Sequence, residues 1–106
     1  MRFADVAPIR RAVAEHARHL RGLHPEIESI KWFGSWVNGT ARPGSDVDLC
    51  VVVRQSDKRV RDRVPDFLPE RFPVGIDLFI YTPAELDTLR TEHSAFAAAI
   101  DAGTDV

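Results

Sequence analysis

Residues 46–53 read Asp-Val-Asp-Leu-Cys-Val-Val-Val, so that two aspartates run straight into a β-branched apolar stretch. Val47 to Val53 is a strand by composition, and a buried strand exists only inside layers that cover it. The rest of the chain supplies them. From about Val6 to Leu23 the apolar residues Val6, Ile9, Val13, Ala17, Leu20 and Leu23 recur at three- and four-residue steps, which predicts one amphipathic helix. Asp5 is a cap for its start, Pro8 fits its first turn and Pro25 lies just past its end.

Ile27 to Phe33, stopped by Gly34, predicts a further strand. Ser35 to Ala41 then has room for about two helical turns before a turn at Arg42-Pro43-Gly44. Residues 54 to 70 are highly charged but carry Val60, Val64, Phe67 and Leu68 at helical steps, and predict one short helix with Ser56 as cap and Pro65 limiting its length. Val74 to Tyr81 predicts another strand. Thr82-Pro83-Ala84-Glu85 is a capping box, so a helix starts at Pro83. A last helix, about Ser94 to Ala102, turns Phe96, Ala99 and Ile100 inward and stops at Gly103 in a left-handed conformation. The expected fold is α/β, a small mixed sheet flanked by helices, because connections as short as 42 to 45 suit antiparallel neighbours.

With 106 residues the chain reads as one domain over positions 1–106, without room for a second core. Apolar residues at 44% and charged residues at 28% exclude a disordered chain. A net charge of −2 argues against general attraction to nucleic acid or anionic lipid, so any anion site must be local. The lone cysteine, Cys50, cannot form an internal disulfide, no Cys and His spacing suggests structural zinc, and no segment reads as a signal peptide or membrane span. A reducing cytoplasm fits that pattern.

Three acids carry the chemistry. Asp46 and Asp48 project from one face of their strand, with Val47 and Leu49 opposite. At roughly 4–7 Å and an effective dielectric near 20 their repulsion is about 2–4 kcal/mol, which favours either a hydrated strand end or a shared cation. Asp77 lies within Val-Gly-Ile-Asp-Leu-Phe-Ile, where an unpaired carboxylate is costly unless it marks an exposed strand end. If its strand adjoins that of Asp46 and Asp48, three carboxylates can face a hard divalent cation such as magnesium. Gly34-Ser35 stands where a strand gives way to a short helix, a place where free N–H groups can hold phosphate.

Gly34-Ser35, ten residues, then Asp46-Val47-Asp48, set in FGSWVNGTARPGSDVDLCVVV, resembles the signature of the minimal nucleotidyltransferases of the DNA polymerase β-like superfamily. IDLFIYTPAEL is similar to that group's third-acid strand and following helix, and the resemblance extends loosely over residues 27 to 106. It implies that Gly34 and Ser35 bind the triphosphate, that Asp46 and Asp48 hold two magnesium ions, and that Asp77 completes the metal site and helps deprotonate the attacking hydroxyl. The implied reaction moves AMP from ATP to an acceptor, with pyrophosphate leaving. Short members of the group are mostly antitoxins that adenylylate a tyrosine of a HEPN-domain toxin, and that is the partner expected here. The competing readings are a binding module that masks its partner stoichiometrically, and a small-molecule nucleotidyltransferase whose pocket is completed in a homo-oligomer.

Arg42, between the motifs, is the candidate cation for the phosphates, or an exposed turn arginine. Trp36 either covers a base or packs, with packing or a partner interface favoured. His16, His19 and His24 read as the polar flank of the first helix, residues 54–63 as a solvated basic face, and Cys50 as core.

Overall fold

The computed structural model describes residues 6–106. Four strands, β1 (Ile27–Phe33), β2 (Val47–Val53), β3 (Ile76–Tyr81) and β4 (Thr104–Asp105), form one sheet in the order β3-β2-β1-β4. β2 runs antiparallel to β1 and parallel to β3, and β4 runs antiparallel to β1, so the sheet is mixed as expected. Helix α1 (Val6–Leu23) covers one face and α4 (Pro83–Glu92) with α5 (Ser94–Asp101) the other, while α2 (Ser35–Asn38) and α3 (Val60–Arg63) lie in the connections.

Period-two alternation sorts β2 between two cores. Val47, Leu49, Val51 and Val53 join Ile9, Val13, Ala17 and Leu20 of α1, whereas Cys50 and Val52 join Leu86 and Ile100. Cys50 is core, and burial pushes its thiol up to about 12. Among the described residues no helix is long and apolar enough to cross a membrane.

Several local expectations change. The proposed Asp5 cap lies outside the described residues. Leu23, expected on the inner stripe, is 60% exposed at the last position of α1. His16, expected on the polar flank, is buried in α1's inner face, its ring nitrogen 2.8 Å from the Phe67 carbonyl. Burial holds that imidazole below the ordinary histidine value. α2 closes at Asn38 because Gly39 turns left-handed, with φ 85°.

The helix expected in residues 54–70 is one α-turn, α3, running into a 3₁₀ turn at Val64–Phe67, where Pro65 cannot donate to a longer ladder. Arg59, not Ser56, holds the cap position, and Leu68 is exposed. β3 starts at Ile76 rather than Val74. The Thr82–Glu85 capping box forms in both directions. In α5, Ala97 rather than Ala99 is buried, beside Ile100. Gly103 does not adopt the left-handed cap: the helix closes on Ala102 in the right-handed region, and a Cβ at Gly103 would sit 2.7 Å from the Trp32 carbonyl oxygen. That close approach places β4, which the sequence did not suggest, against β1.

Arg63 is buried, and all three of its guanidinium nitrogens are hydrogen-bonded. Its Nε donates to the Lys58 carbonyl (2.9 Å), Nη1 to the Ile80 carbonyl (3.1 Å), and Nη1 and Nη2 to the two Glu85 oxygens (2.6 and 3.0 Å). Glu85 also accepts from the Thr82 N–H at 2.8 Å, so one carboxylate ties α3, β3 and α4 together.

Candidate active site

β1 ends at Phe33, and Gly34 takes φ 87°, a conformation that L side chains rarely adopt. The Gly34 carbonyl accepts from the N–H groups of Val37 and Asn38 (3.1 and 3.0 Å), and Ser35 opens α2 half-exposed. The first N–H groups of such a helix have no partner within it. The loop onward from α2 is held by its own bonds: Ser45 N–H to the Arg42 carbonyl (2.9 Å), Arg42 N–H to Ser45 Oγ (2.8 Å) and Trp36 Nε1 to the Ser45 carbonyl (2.7 Å). Trp36 therefore packs, buried, and braces the residue before Asp46 against α2.

The parallel register sets Asp48 of β2 directly beside Asp77 of β3, while on β1 Phe33 stands opposite Asp48. Asp46 precedes β2, whose first N–H, that of Val47, donates to the Gly75 carbonyl at 2.9 Å. All three acids thus gather at one end of the sheet, on the face that carries Cys50, Val52 and Phe79 further along the strands. Phe33, Phe79 and Phe96 form a ring cluster behind them, with centroids 5.1–5.9 Å apart.

Asp46 and Asp77 are exposed and Asp48 half-buried. Burial, then the nearby charges of Asp77 and Asp46, push the Asp48 carboxyl up to about 6. None of the three has an ion-pair partner among the described residues. Two glycines make room for them: a Cβ at Gly34 would overlap an Asp48 carboxylate oxygen, and a Cβ at Gly75 an Asp46 oxygen.

Among the described residues no three Asp, Glu, His or Cys side chains converge into a closed metal cluster. Asp46 lies against Gly75 and Asp48 against Gly34, with the Asp48 carboxyl in hydrogen-bond contact with Asp77. The donor set still suits a hard divalent cation: oxygen ligands, uncompensated charge and an in-register pair, Asp48 and Asp77, to share it. Arg42 lies in the loop between the motifs, exposed, without an ion pair among the described residues. Sequence reasoning missed Gly75 and the Trp36 brace. A glycine inside a predicted strand was the available signal for the first, since it marks close backbone approach.

Residues 13–101 match the family model described as the nucleotidyltransferase domain. The chain belongs to that family. A protein from Sulfolobus solfataricus, described as a nucleotidyltransferase and solved by crystallography, shares the fold with a TM-score of 0.61 and 23% identity over 76% of this chain and 72% of its own. No curated protein sequence matches. Membership in the nucleotidyltransferase domain family supports nucleotidyl transfer as the chain's general activity.

Proposed function

We propose that this chain, as a single nucleotidyltransferase unit, transfers AMP from ATP to a hydroxyl, a tyrosine side chain, of a partner protein, and so acts as the antitoxin to a HEPN-domain toxin. The observation that carries the transfer reaction is the gathering of Asp46, Asp48 and Asp77, without countercharge, at the edge next to Gly34-Ser35. The exposure of Asp46 and Asp77 supports a macromolecular acceptor, because an open edge admits a side chain presented on another surface.

Asp46, Asp48 and Asp77 would hold divalent cations, two magnesium ions in this reading. When bound, these supply charge neutralisation on the triphosphate and acidify the attacking hydroxyl. The Gly34 backbone, Ser35 and the start of α2 bind the phosphate oxygens, and Arg42 offers a guanidinium to the leaving group. Asp77, the more exposed of the in-register pair, takes the acceptor proton. The acceptor oxygen bonds to the α-phosphorus as the bond to pyrophosphate breaks.

The test is transfer of α-labelled nucleotide from Mg-ATP to a co-expressed HEPN-domain partner, with Asp48→Asn alongside. We expect label on the partner and a loss of about a thousandfold or more in the variant. Neutralisation of the partner by a folded Asp48→Asn chain, with no label from the wild type, would replace transfer by stoichiometric masking.

A further inference from the structure

The two edges of the sheet are finished differently. On the outer side of β1, β4 pairs with Lys31 and Trp32, and the Val106 N–H donates to the Ile30 carbonyl at 3.0 Å. β3 is the terminal strand on the other side. The Gly75 carbonyl accepts from the Val47 N–H of β2, so the main chain of Asp77, Phe79 and Tyr81 also turns inward, and that of Ile76, Leu78 and Ile80 outward. Arg63 Nη1 takes the Ile80 carbonyl at 3.1 Å and closes that end. The N–H and C=O groups of Ile76 and Leu78 have no hydrogen-bond partner among the described residues.

Open main-chain groups of this kind pair with an extended chain that reaches them, and proteins commonly blunt such an edge with lysine, proline or a bulge. Ile76–Tyr81 carries no lysine or proline, and its ladder with β2 runs without a register shift. Its one charge, Asp77, stands between the two open residues. Geometry then selects the occupant. In an antiparallel addition, the residue opposite Asp77 forms a non-hydrogen-bonded pair with it, Cα atoms about 4.5 Å apart, the arrangement in which facing side chains come closest. That residue projects on the acid face, and the residue two positions before it meets the half-buried ring of Phe79. A second copy of this chain is a poor occupant. The antiparallel register that uses Ile76 and Leu78 of both copies sets Asp77 against Asp77, like charges directly opposite each other.

We propose that the outer edge of β3 at Ile76 to Leu78 takes an extended segment of the protein acceptor as an added antiparallel strand, with the hydroxyl-bearing residue opposite Asp77. This rests on the protein-acceptor reading above. The probe is the peptide acetyl-Lys-Thr-Val-Thr-Tyr-Thr-Lys-amide, titrated into the isotope-labelled full chain and followed by amide chemical shifts. Its tyrosine is meant for Asp77 and its valine for Phe79. The amides of Ile76 and Leu78 should move most, and those of Lys31 and Trp32 at the other edge should stay. N-methylation of the two threonines that flank the tyrosine removes the donors aimed at β3 and should weaken binding about tenfold. N-methylation of the tyrosine itself, whose N–H points away from β3, should leave affinity within about twofold.

Equal affinity for the three peptides would overturn the proposal, as would no shift at Ile76 and Leu78 with millimolar peptide. Loss of binding with the N-methylated tyrosine alone would also overturn it, because that pattern marks a parallel strand. Transfer of labelled AMP from Mg-ATP to a co-expressed HEPN-domain partner, measured alongside, separates the two readings. Transfer to the partner with no peptide on β3 sinks only the edge pairing. Peptide bound at β3 with the expected pattern, but no label on the partner, sinks the transferase reading and leaves the edge as a docking strand.

Discussion

The two ends of β3 treat charge in opposite ways. Near its start, Asp77 stands beside Asp48 with Asp46 close by, three carboxylates with no cation among the described side chains. Past its end, Glu85 grips Arg63 through both oxygens, while the guanidinium's remaining bonds go to backbone carbonyls. One end leaves an electrostatic cost standing, and the other removes it at the nearest opportunity. One strand thus carries a charge matched by its neighbours past one end and three carboxylates without a countercharge near the other.

The sharpest way to break this comparison is to empty the satisfied end. Glu85→Ala strands the Arg63 guanidinium, which is 4% exposed, and should cost about 3 kcal/mol in denaturant unfolding. A cost below about 1 kcal/mol would mean that the pair behaves like a surface bridge. At the open end, Gly75→Ala pushes a methyl group into the position of the Asp46 carboxylate, and should lower transfer about a hundredfold while leaving the melting temperature nearly unchanged. A fall in melting temperature matching the activity loss would assign Gly75 to folding instead.

Acid titration of metal-free protein sharpens the contrast. Glu85 is held at about 2, below its ordinary 4.5, chiefly by its hydrogen bonds to Arg63, so its stabilisation is complete above 4.5 and lost as pH falls toward 2. Asp48, raised from 3.8 to about 6, has the opposite sign: its contribution is complete below 3.8 and lost as pH rises through about 6. Melting temperature against pH should therefore lose its acid limb in Glu85→Gln and its limb between about 4 and 6 in Asp48→Asn; both variants acting on one limb would refute the assignment. The smallest effect is expected from Trp36→Phe, which keeps the packing but removes the bond to the Ser45 carbonyl, at about 1 kcal/mol of stability.

Elements whose signals are local were legible in the sequence. The strand bounds of β1 and β2 follow from composition and a stopping glycine, and the Thr82–Glu85 box is written in four consecutive residues. The acid edge was legible because alternation places Asp46 and Asp48 on one face and register brings Asp77 beside them. What escaped depends on partners distant in the chain. His16 is buried because the Phe67 carbonyl, 51 residues away, accepts its ring nitrogen. Gly103 looked like a helix terminator, yet its missing side chain serves the Trp32 carbonyl of another strand. The adjacency of the strands of Asp48 and Asp77, left conditional in the sequence, is set by the parallel register.

The in-register pairing of Asp48 and Asp77 has a consequence for how such a chain can change over generations. The gap between their backbones is the spacing of adjacent hydrogen-bonded strands, about 4.8 Å, which core substitutions scarcely alter. That ruler is made of main chain rather than of any particular side chains. A lineage built on it is free to redraw its helices and loops, and with them its outer surface, while the backbones of the two acids keep their spacing.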